Sequence, residues 1–241
     1  MRYAVLSDIH GNVEALQAVL GDAAGRTDAV VCLGDVVGYG ADPVACVELL
    51  AERAQVLTAG NHEHGVTGQL DLGWFNRHAR AACEWTRQRL DDDHRAYLAA
   101  LPLLVELGDA TLVHASPDHP EEWDYLVLPE DGYAAFSAFA TRLCFVGHSH
   151  VPGVWSLGSS GPDHVRGPVD LELADGRRYI VNVGSVGQPR DRDARAAYAV
   201  WDLDRSRVTI RRVDYDHGLA RRKIVAAGLP RILADRLAVG T

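Results

Sequence analysis

Apolar runs separated by short polar loops recur along the first half of the chain. Residues 2–7 make one such run and read as a buried strand. Asn12 then stands where it can cap a helix carrying Val13, Leu16, Val19 and Leu20 on one side. The pattern repeats at residues 29–33, followed by a glycine-rich loop and by Asp42 and Pro43 as N-cap and first residue of a helix ending near Arg53. A third strand, residues 55–58, runs into Gly60-Asn61-His62. Strands and helices alternating in this way predict parallel strands covered by helices, with chemistry at the strands' carboxyl ends.

Residues 78–101 are helical in composition, with a break expected around Asp91 to Asp93. Residues 103–107 and 110–113 read as a hairpin about Gly108-Asp109. A loop rich in proline and acid (116–124) precedes a predicted helix at 129–140 and a strand at 143–146 that leads into Gly147-His148-Ser149-His150. In the last third, Asp175-Gly176 and Asp204-Arg205-Ser206 are hairpin signals, and residues 207–213 alternate between water and core. This part therefore reads as a second, largely antiparallel sheet. Residues 158–168, rich in Gly, Ser and Pro, read as an exposed loop.

Composition narrows the class of protein. A chain of 241 residues, 47% hydrophobic and 24% charged, suits one α/β domain over residues 1–241 with a large core. The net charge of −9 repels a polyanion, so a nucleic-acid polymer is not the expected partner. The one dense basic run is Arg221, Arg222 and Lys223. Four cysteines, Cys32, Cys46, Cys83 and Cys144, sit singly in apolar segments and read as reduced core thiols. No apolar segment is long enough for a transmembrane span, so no membrane association is expected. Removing a leader of roughly 15 to 30 residues would delete Asp8 and His10, which makes the cytoplasm the expected location.

The chemically informative residues fall at the ends of predicted strands: Asp8 and His10, Asp35, Asn61 and His62, His114, then His148 and His150. Strand ends meet along one edge of a sheet, so groups distant in sequence can share a cleft. In Asp-x-His and His-x-His, alternate side chains point the same way. Mixed carboxylate, imidazole and amide donors suit Mn, Fe, Zn, Co or Ni better than Mg or Ca. Alone, each motif is a cap, a turn or a surface histidine; five in order after hydrophobic strands are not.

Asp8-x-His10, Gly34-Asp35, Gly60-Asn61-His62-Glu63, His114 and Gly147-His148-x-His150 together resemble the signature of the calcineurin-like metallophosphoesterase superfamily. The tail from Asn182 to Arg190 further resembles its small bacterial and archaeal phosphodiesterase branch. The resemblance implies a four-layer α/β/β/α sandwich, an α/β (α+β) fold with two mixed β-sheets flanked by helices. It implies two divalent transition-metal ions, one on Asp8, His10 and His150, the other on Asn61, His114 and His148, with Asp35 bridging. Two metals on one phosphate polarise it and generate the water nucleophile. His62 is left off the metals, as proton donor to the leaving alkoxide or as a cation over the phosphoryl oxygens.

The phosphoprotein phosphatases of this superfamily carry Gly-Asp-x-x-Asp-Arg-Gly, whereas here Gly38 and Tyr39 replace that Asp and Arg, and Ala59 replaces the Arg before Gly-Asn-His. Both phosphate-gripping arginines and the aspartate that would orient His62 are therefore missing. The expected substrate is a small phosphate ester or nucleotide, with a phosphodiester favoured over a monoester or a nucleotide pyrophosphate. A non-catalytic scaffold, as in a retromer subunit of the same fold, is the alternative of another class. Arg190 stands as a replacement guanidinium, and Tyr39, Trp123 and Tyr125 as aromatic contacts for substrate.

Overall fold

The computed structural model describes residues 1–159 and 161–241. Strand β1 (Arg2–Leu6) leads to helix α1 (Val13–Ala23), β2 (Ala29–Cys32) to α2 (Pro43–Arg53), and β3 (Ala54–Leu57) to α3 (Asn61–Thr67). Asn12 caps α1 as its sequence predicts, its Oδ1 accepting the Ala15 N–H at 3.1 Å. Asp42 precedes α2 but makes no side-chain cap. Its carboxylate accepts instead from Lys223 at 2.9 Å, and Lys223 also pairs with Glu14. Helices α4 (Arg77–Arg87) and α5 (Asp92–Ala99) follow, divided where the sequence divides them, with Asp91 capping α5 through the His94 N–H at 2.8 Å.

Strands β4 (Leu104–Leu107) and β5 (Ala110–Val113) form the expected hairpin. Helix α6 (Pro129–Ala135) ends five residues before the predicted Ala140. The Arg178 guanidinium takes the Phe136, Phe139 and Thr141 carbonyls, and Phe136 and Phe139 turn into the core. The chain continues through β6 (Leu143–Val146), β7 (Gly153–Gly158), β8 (Gly161–Arg166), β9 (Asp170–Glu172), β10 (Arg178–Asn182), β11 (Ala196–Asp202) and β12 (Arg207–Val213), then α7 (His217–Ala226) and α8 (Arg231–Arg236).

The strands form two six-stranded sheets, ordered β3-β2-β1-β11-β12-β9 and β4-β5-β6-β10-β7-β8. Both are mixed: β1, β2 and β3 run parallel, as do β5, β6 and β10, while the remaining pairs are antiparallel. Alternation sends Tyr3 and Val5 into the space between the sheets and Ala4 and Leu6 toward the helices. On β6, Leu143 and Phe145 likewise face the other sheet while Cys144 and Val146 face α6. The layers are therefore helix, sheet, sheet, helix, the sandwich that the resemblance implies.

Three expectations are corrected. The last third is not a second antiparallel sheet, because β9, β11 and β12 extend the first sheet while β7, β8 and β10 extend the second. Asp175-Gly176 does turn the chain, with Gly176 at φ +72°, but it joins β9 of one sheet to β10 of the other and makes no hairpin. Residues 158–168 are not an open loop, since β8 pairs with β7 from Gly158↔Gly161 to Gly153↔Arg166. Ser160 within that segment lies outside the described residues. β8 is a largely exposed edge strand without an apolar face, held by backbone pairing and by the His164 ring stacked on Trp155 at 4.6 Å. The hairpin at Asp204-Arg205-Ser206 is as predicted. All four cysteines are buried free thiols, and among the described residues no helix is long and apolar enough to cross a membrane.

Candidate metal centre

Strands β1, β2, β3, β5, β6 and β10 all end at one cleft, and the polar residues of the sequence motifs follow them directly. Asp8, His10, Asp35, Tyr39, His148 and His150 all have positive φ, between +50° and +63°, a backbone region that resists side chains other than glycine. The loops are locked by contacts between them. Val186 and Gly187 donate their N–H groups to the Ser7 and Asp8 carbonyls at 3.0 and 2.9 Å. A Cβ on Gly187 would lie 1.8 Å from the Ile9 carbonyl oxygen, so only glycine permits this approach. Asn182 Nδ2 donates to the Gly147 carbonyl at 2.6 Å, which fixes the start of the His148 loop.

Within the cleft the donor atoms form two clusters. Asp8 Oδ1 lies 3.2 Å from His150 Nε2 and 3.7 Å from His10 Nε2. Asp35 Oδ2 lies 3.3 Å from His114 Nε2 and 3.6 Å from His10 Nε2, and His114 Nε2 is 3.1 Å from His148 Nδ1. Asp35 Oδ2 thus reaches His10 of the first cluster as well as His114 of the second. Each carboxylate has one oxygen held by backbone, Asp8 Oδ2 by the His148 N–H (3.0 Å) and Asp35 Oδ1 by the His62 N–H (2.9 Å), and turns the other inward. Asp8 Oδ1 and Asn61 Oδ1 are buried without a hydrogen-bond partner among the described residues.

The far side of the rings decides what the near side can do. His10 Nδ1 faces the Val37 carbonyl at 3.1 Å, His114 Nδ1 the Leu33 carbonyl at 3.0 Å, and His150 Nδ1 the Gln188 carbonyl at 2.6 Å. A carbonyl only accepts, so each Nδ1 carries a proton, and a ring whose other nitrogen gives up its proton presents an Nε2 lone pair to the cleft. The Nε2 atoms of His10 and His150 are only 3.1 Å apart. Two lone pairs at that distance repel unless a cation lies between them. Outer hydrogen bonds of this kind orient metal-binding imidazoles. The donor set therefore fits metal ions, and sets drawn from Asp8, His10 and His150, from Asp35, His114 and His148, and from His10, Asp35 and His62 each lie within 4.8 Å.

The electrostatics agree. Burial opposes the charged form of every group here, yet the imidazoles around Asp8 and Asp35 hold both carboxyls well below the usual carboxylate range. Burial pushes His62 and His148 down to about 3 and His150 to about 4, so these rings are neutral, whereas Asp35 raises the buried His114 to about 9.

Glu63 is the residue that reading the sequence left without a role. From the first turn of α3 its buried carboxylate accepts four N–H groups, those of Asp35 (2.7 Å), Gly60 (2.8 Å), Val36 (2.9 Å) and Val37 (3.2 Å). It ties the loops after β2 and β3 into one unit. Burial, and after it the Asp35 charge, push this carboxyl up to about 7 against those donors. Its signal in the sequence was an acid three residues after Gly60, where it closes a helix start.

Above the clusters, Tyr39, His62 and Arg190 line a narrow cleft with Asp35, Asn61 and His148. Arg190 donates to Gln188 Oε1 at 2.9 Å, lies 5.7 Å from the Tyr39 ring, and has a buried Nε without a partner. Beside it opens a cavity of about 650 Å³ walled by Trp74, Phe75, Trp123 and Tyr125, with Asn61 and His148 at its base. Tyr125 stacks on the His148 ring at 4.0 Å, and Trp123, at φ +60°, sets its ring edge-on to His64 and His114. Every sequence-predicted site residue thus reaches this one region. His119 stays exposed, and of the basic run Lys223 pairs with Glu14 and Asp42 and Arg221 with Asp235.

A calcineurin-like phosphoesterase superfamily domain matches residues 1–206. The chain belongs to that superfamily. An uncharacterized protein of Methanocaldococcus jannaschii, MJ0912, is 40% identical over 98% of this chain and 97% of its own length. The crystal structure of a metallophosphoesterase from Sphaerobacter thermophilus is 44% identical, with a TM-score of 0.88 over 100% of this chain and 99% of that one. The hypothetical protein PH1004 from Pyrococcus horikoshii OT3 shares the fold at 22% identity, with a TM-score of 0.75 over 100% and 98% of the two chains. This calcineurin-like chain is thus a metallophosphoesterase, a hydrolase of phosphoric esters in a metal-dependent family, and its Asp and His clusters are the candidate metal-binding groups.

Proposed function

We propose that this chain hydrolyses a phosphodiester at two divalent transition-metal ions. Asp8, His10 and His150 would hold one, Asn61, His114 and His148 the other, and Asp35 would lie between them as the shared carboxylate. The observation that carries the reading is the set of three histidines whose Nδ1 atoms face backbone carbonyls while their Nε2 atoms converge on two carboxylates. Bound there, Mn, Fe, Zn, Co or Ni ions supply the Lewis acid for the phosphoryl oxygens and lower the pKa of the attacking water.

The chain's own residues do the rest. Asn61 Oδ1 and Asp8 Oδ1 are acceptors kept free for the metals. His62, neutral and at the cleft, donates a hydrogen bond that stabilises charge on the leaving oxygen as the P–O bond breaks. Arg190, its Nε unpartnered, orients a phosphoryl oxygen beside Tyr39. The second ester substituent, which a monoester lacks, lies in the aromatic cavity against Trp123 and Tyr125. Glu121, Glu122 and Asp124 also line that cavity and among the described residues no Lys or Arg does, so it repels further phosphates and nucleic-acid polymers. The scaffold alternative has no need of a complete donor set. The buried free thiols fit a cytoplasmic chain, and residues 1–241 act as one domain because both sheets contribute donors.

The test is a panel of nitrophenyl phosphate, bis-nitrophenyl phosphate, cyclic nucleotides, dinucleoside polyphosphates and phosphopeptides on metal-reconstituted protein. The diester is expected to have the higher kcat/KM and phosphopeptides to release no phosphate. A monoester preference abolished by Arg190→Ala would make the enzyme a phosphatase with a rebuilt clamp.

A further inference from the structure

His62 differs from His10, His114 and His150 in what stands behind it. His10, His114 and His150 each face a carbonyl through Nδ1. His62 Nδ1 instead lies 3.5 Å from Cys83 Sγ on α4, and both side chains are buried. Among the described residues this thiol is the hydrogen-bond partner of that nitrogen. The rest of the ring is enclosed by Tyr39 (4.6 Å), His10 (4.8 Å) and Phe75 (5.2 Å). The Asp of the phosphatase motif has no room here, because a Cβ on Gly38 would stand 2.1 Å from His62 Nδ1.

We propose that Cys83 is the positioning residue of His62, its S–H donating to Nδ1 and so keeping a ring proton on Nε2, toward the cleft. A thiol is a weak donor and a weaker acceptor, whereas an imidazole nitrogen is a strong acceptor. The arrangement that leaves no strong acceptor idle is therefore S–H to Nδ1. The outcome is a sorting of histidines by their backing. Carbonyls produce rings with an inward lone pair, fit to bind metal; the thiol produces a ring with an inward N–H, fit to donate. It explains why His62, though near enough to His10 and Asp35 to complete a metal set, serves as a donor. The inference rests on the reading of His62 as donor to the leaving oxygen.

The experiment compares bis-nitrophenyl phosphate with diphenyl phosphate, whose phenol is the poorer leaving group, on zinc-reconstituted protein. Cys83→Ala is expected to lower kcat for diphenyl phosphate about tenfold while KM and metal content stay unchanged and bis-nitrophenyl phosphate loses less than about twofold. Cys83→Ser, whose hydroxyl also donates, restores the diphenyl rate. Nitrogen-15 NMR of wild-type protein, with His62 assigned by its loss in His62→Ala, is expected to find the proton on Nε2. A proton on Nδ1 overturns the proposal, as does a Cys83→Ser variant no faster than Cys83→Ala. If Cys83→Ala does not fold, the serine variant and the wild-type tautomer decide. His62→Ala separates this idea from its foundation: should it leave the leaving-group dependence unchanged, the donor role of His62 fails as well.

Discussion

The space between the sheets and the cleft at their ends are built by the same strands to opposite purposes. In the first, Val5, Leu33, Leu112, Phe145 and Val181 interlock with Trp201, which stacks on Tyr3 at 5.3 Å. A few residues further along the same strands the chain carries buried carboxylates and imidazoles, left-handed backbone at Asp8, His10, Asp35, His148 and His150, and acceptors without partners. Strain and unpaired polar atoms are tolerated only where surrounding structure over-determines them. The lesson is that the apolar slab holds the strand ends at fixed separation, so the cleft can carry a donor set that is unfavourable until cations arrive.

The largest expected effect is on the cleft. Asp35→Asn removes the carboxylate proposed to be shared by two metals and is expected to lose both metals and about 10³-fold or more in activity, beyond the 10–100-fold typical of outer partners. Retention of both metals and full activity would remove its bridging role. On the other side of the comparison, Phe145→Ala leaves a cavity in the fully buried slab and is expected to cost about 3–5 kcal/mol in denaturant unfolding. The folded fraction should keep its metal content. Lost metal at full stability would instead show that the slab positions the cleft more finely than separation alone.

The smallest effect lies outside both regions, at Asp22 of α1. The Arg211 guanidinium, with the Tyr198 hydroxyl at 2.7 Å, draws its carboxyl down to about 2 although partial burial opposes this. Because the folded value is depressed, its stabilisation is complete above the ordinary carboxyl pKa of about 3.9 and fades as pH falls through about 2. Asp22→Asn is expected to cost roughly 1 kcal/mol at pH 7. Thermal melts should see that difference vanish near the lower value; a difference independent of pH would assign the cost to geometry.

Legibility in the sequence followed the same division. Strands β1, β2, β5 and β6 were readable because strands covered on both faces are nearly continuous apolar runs. Their ends were readable because Asp, Asn and His stand there against that background. What stayed hidden depends on partners far along the chain. β8 has no apolar face and exists by pairing with β7. The turn at Gly176 states that the chain reverses, not which sheet it enters. The short helix after Gly60 and the four N–H contacts of Glu63 require the β2 and β3 loops to be side by side. Cys83, a core thiol by composition, gains its second meaning only because α4 packs over His62.

The central claim is that the clusters sharing Asp35 form one binuclear centre, and counting metals tests it most directly. Protein purified without chelator and supplied with Mn, washed and analysed for elements, is expected to hold two metal ions per chain, with Asp35→Asn holding neither. Wild-type protein that never exceeds one ion per chain would contradict it.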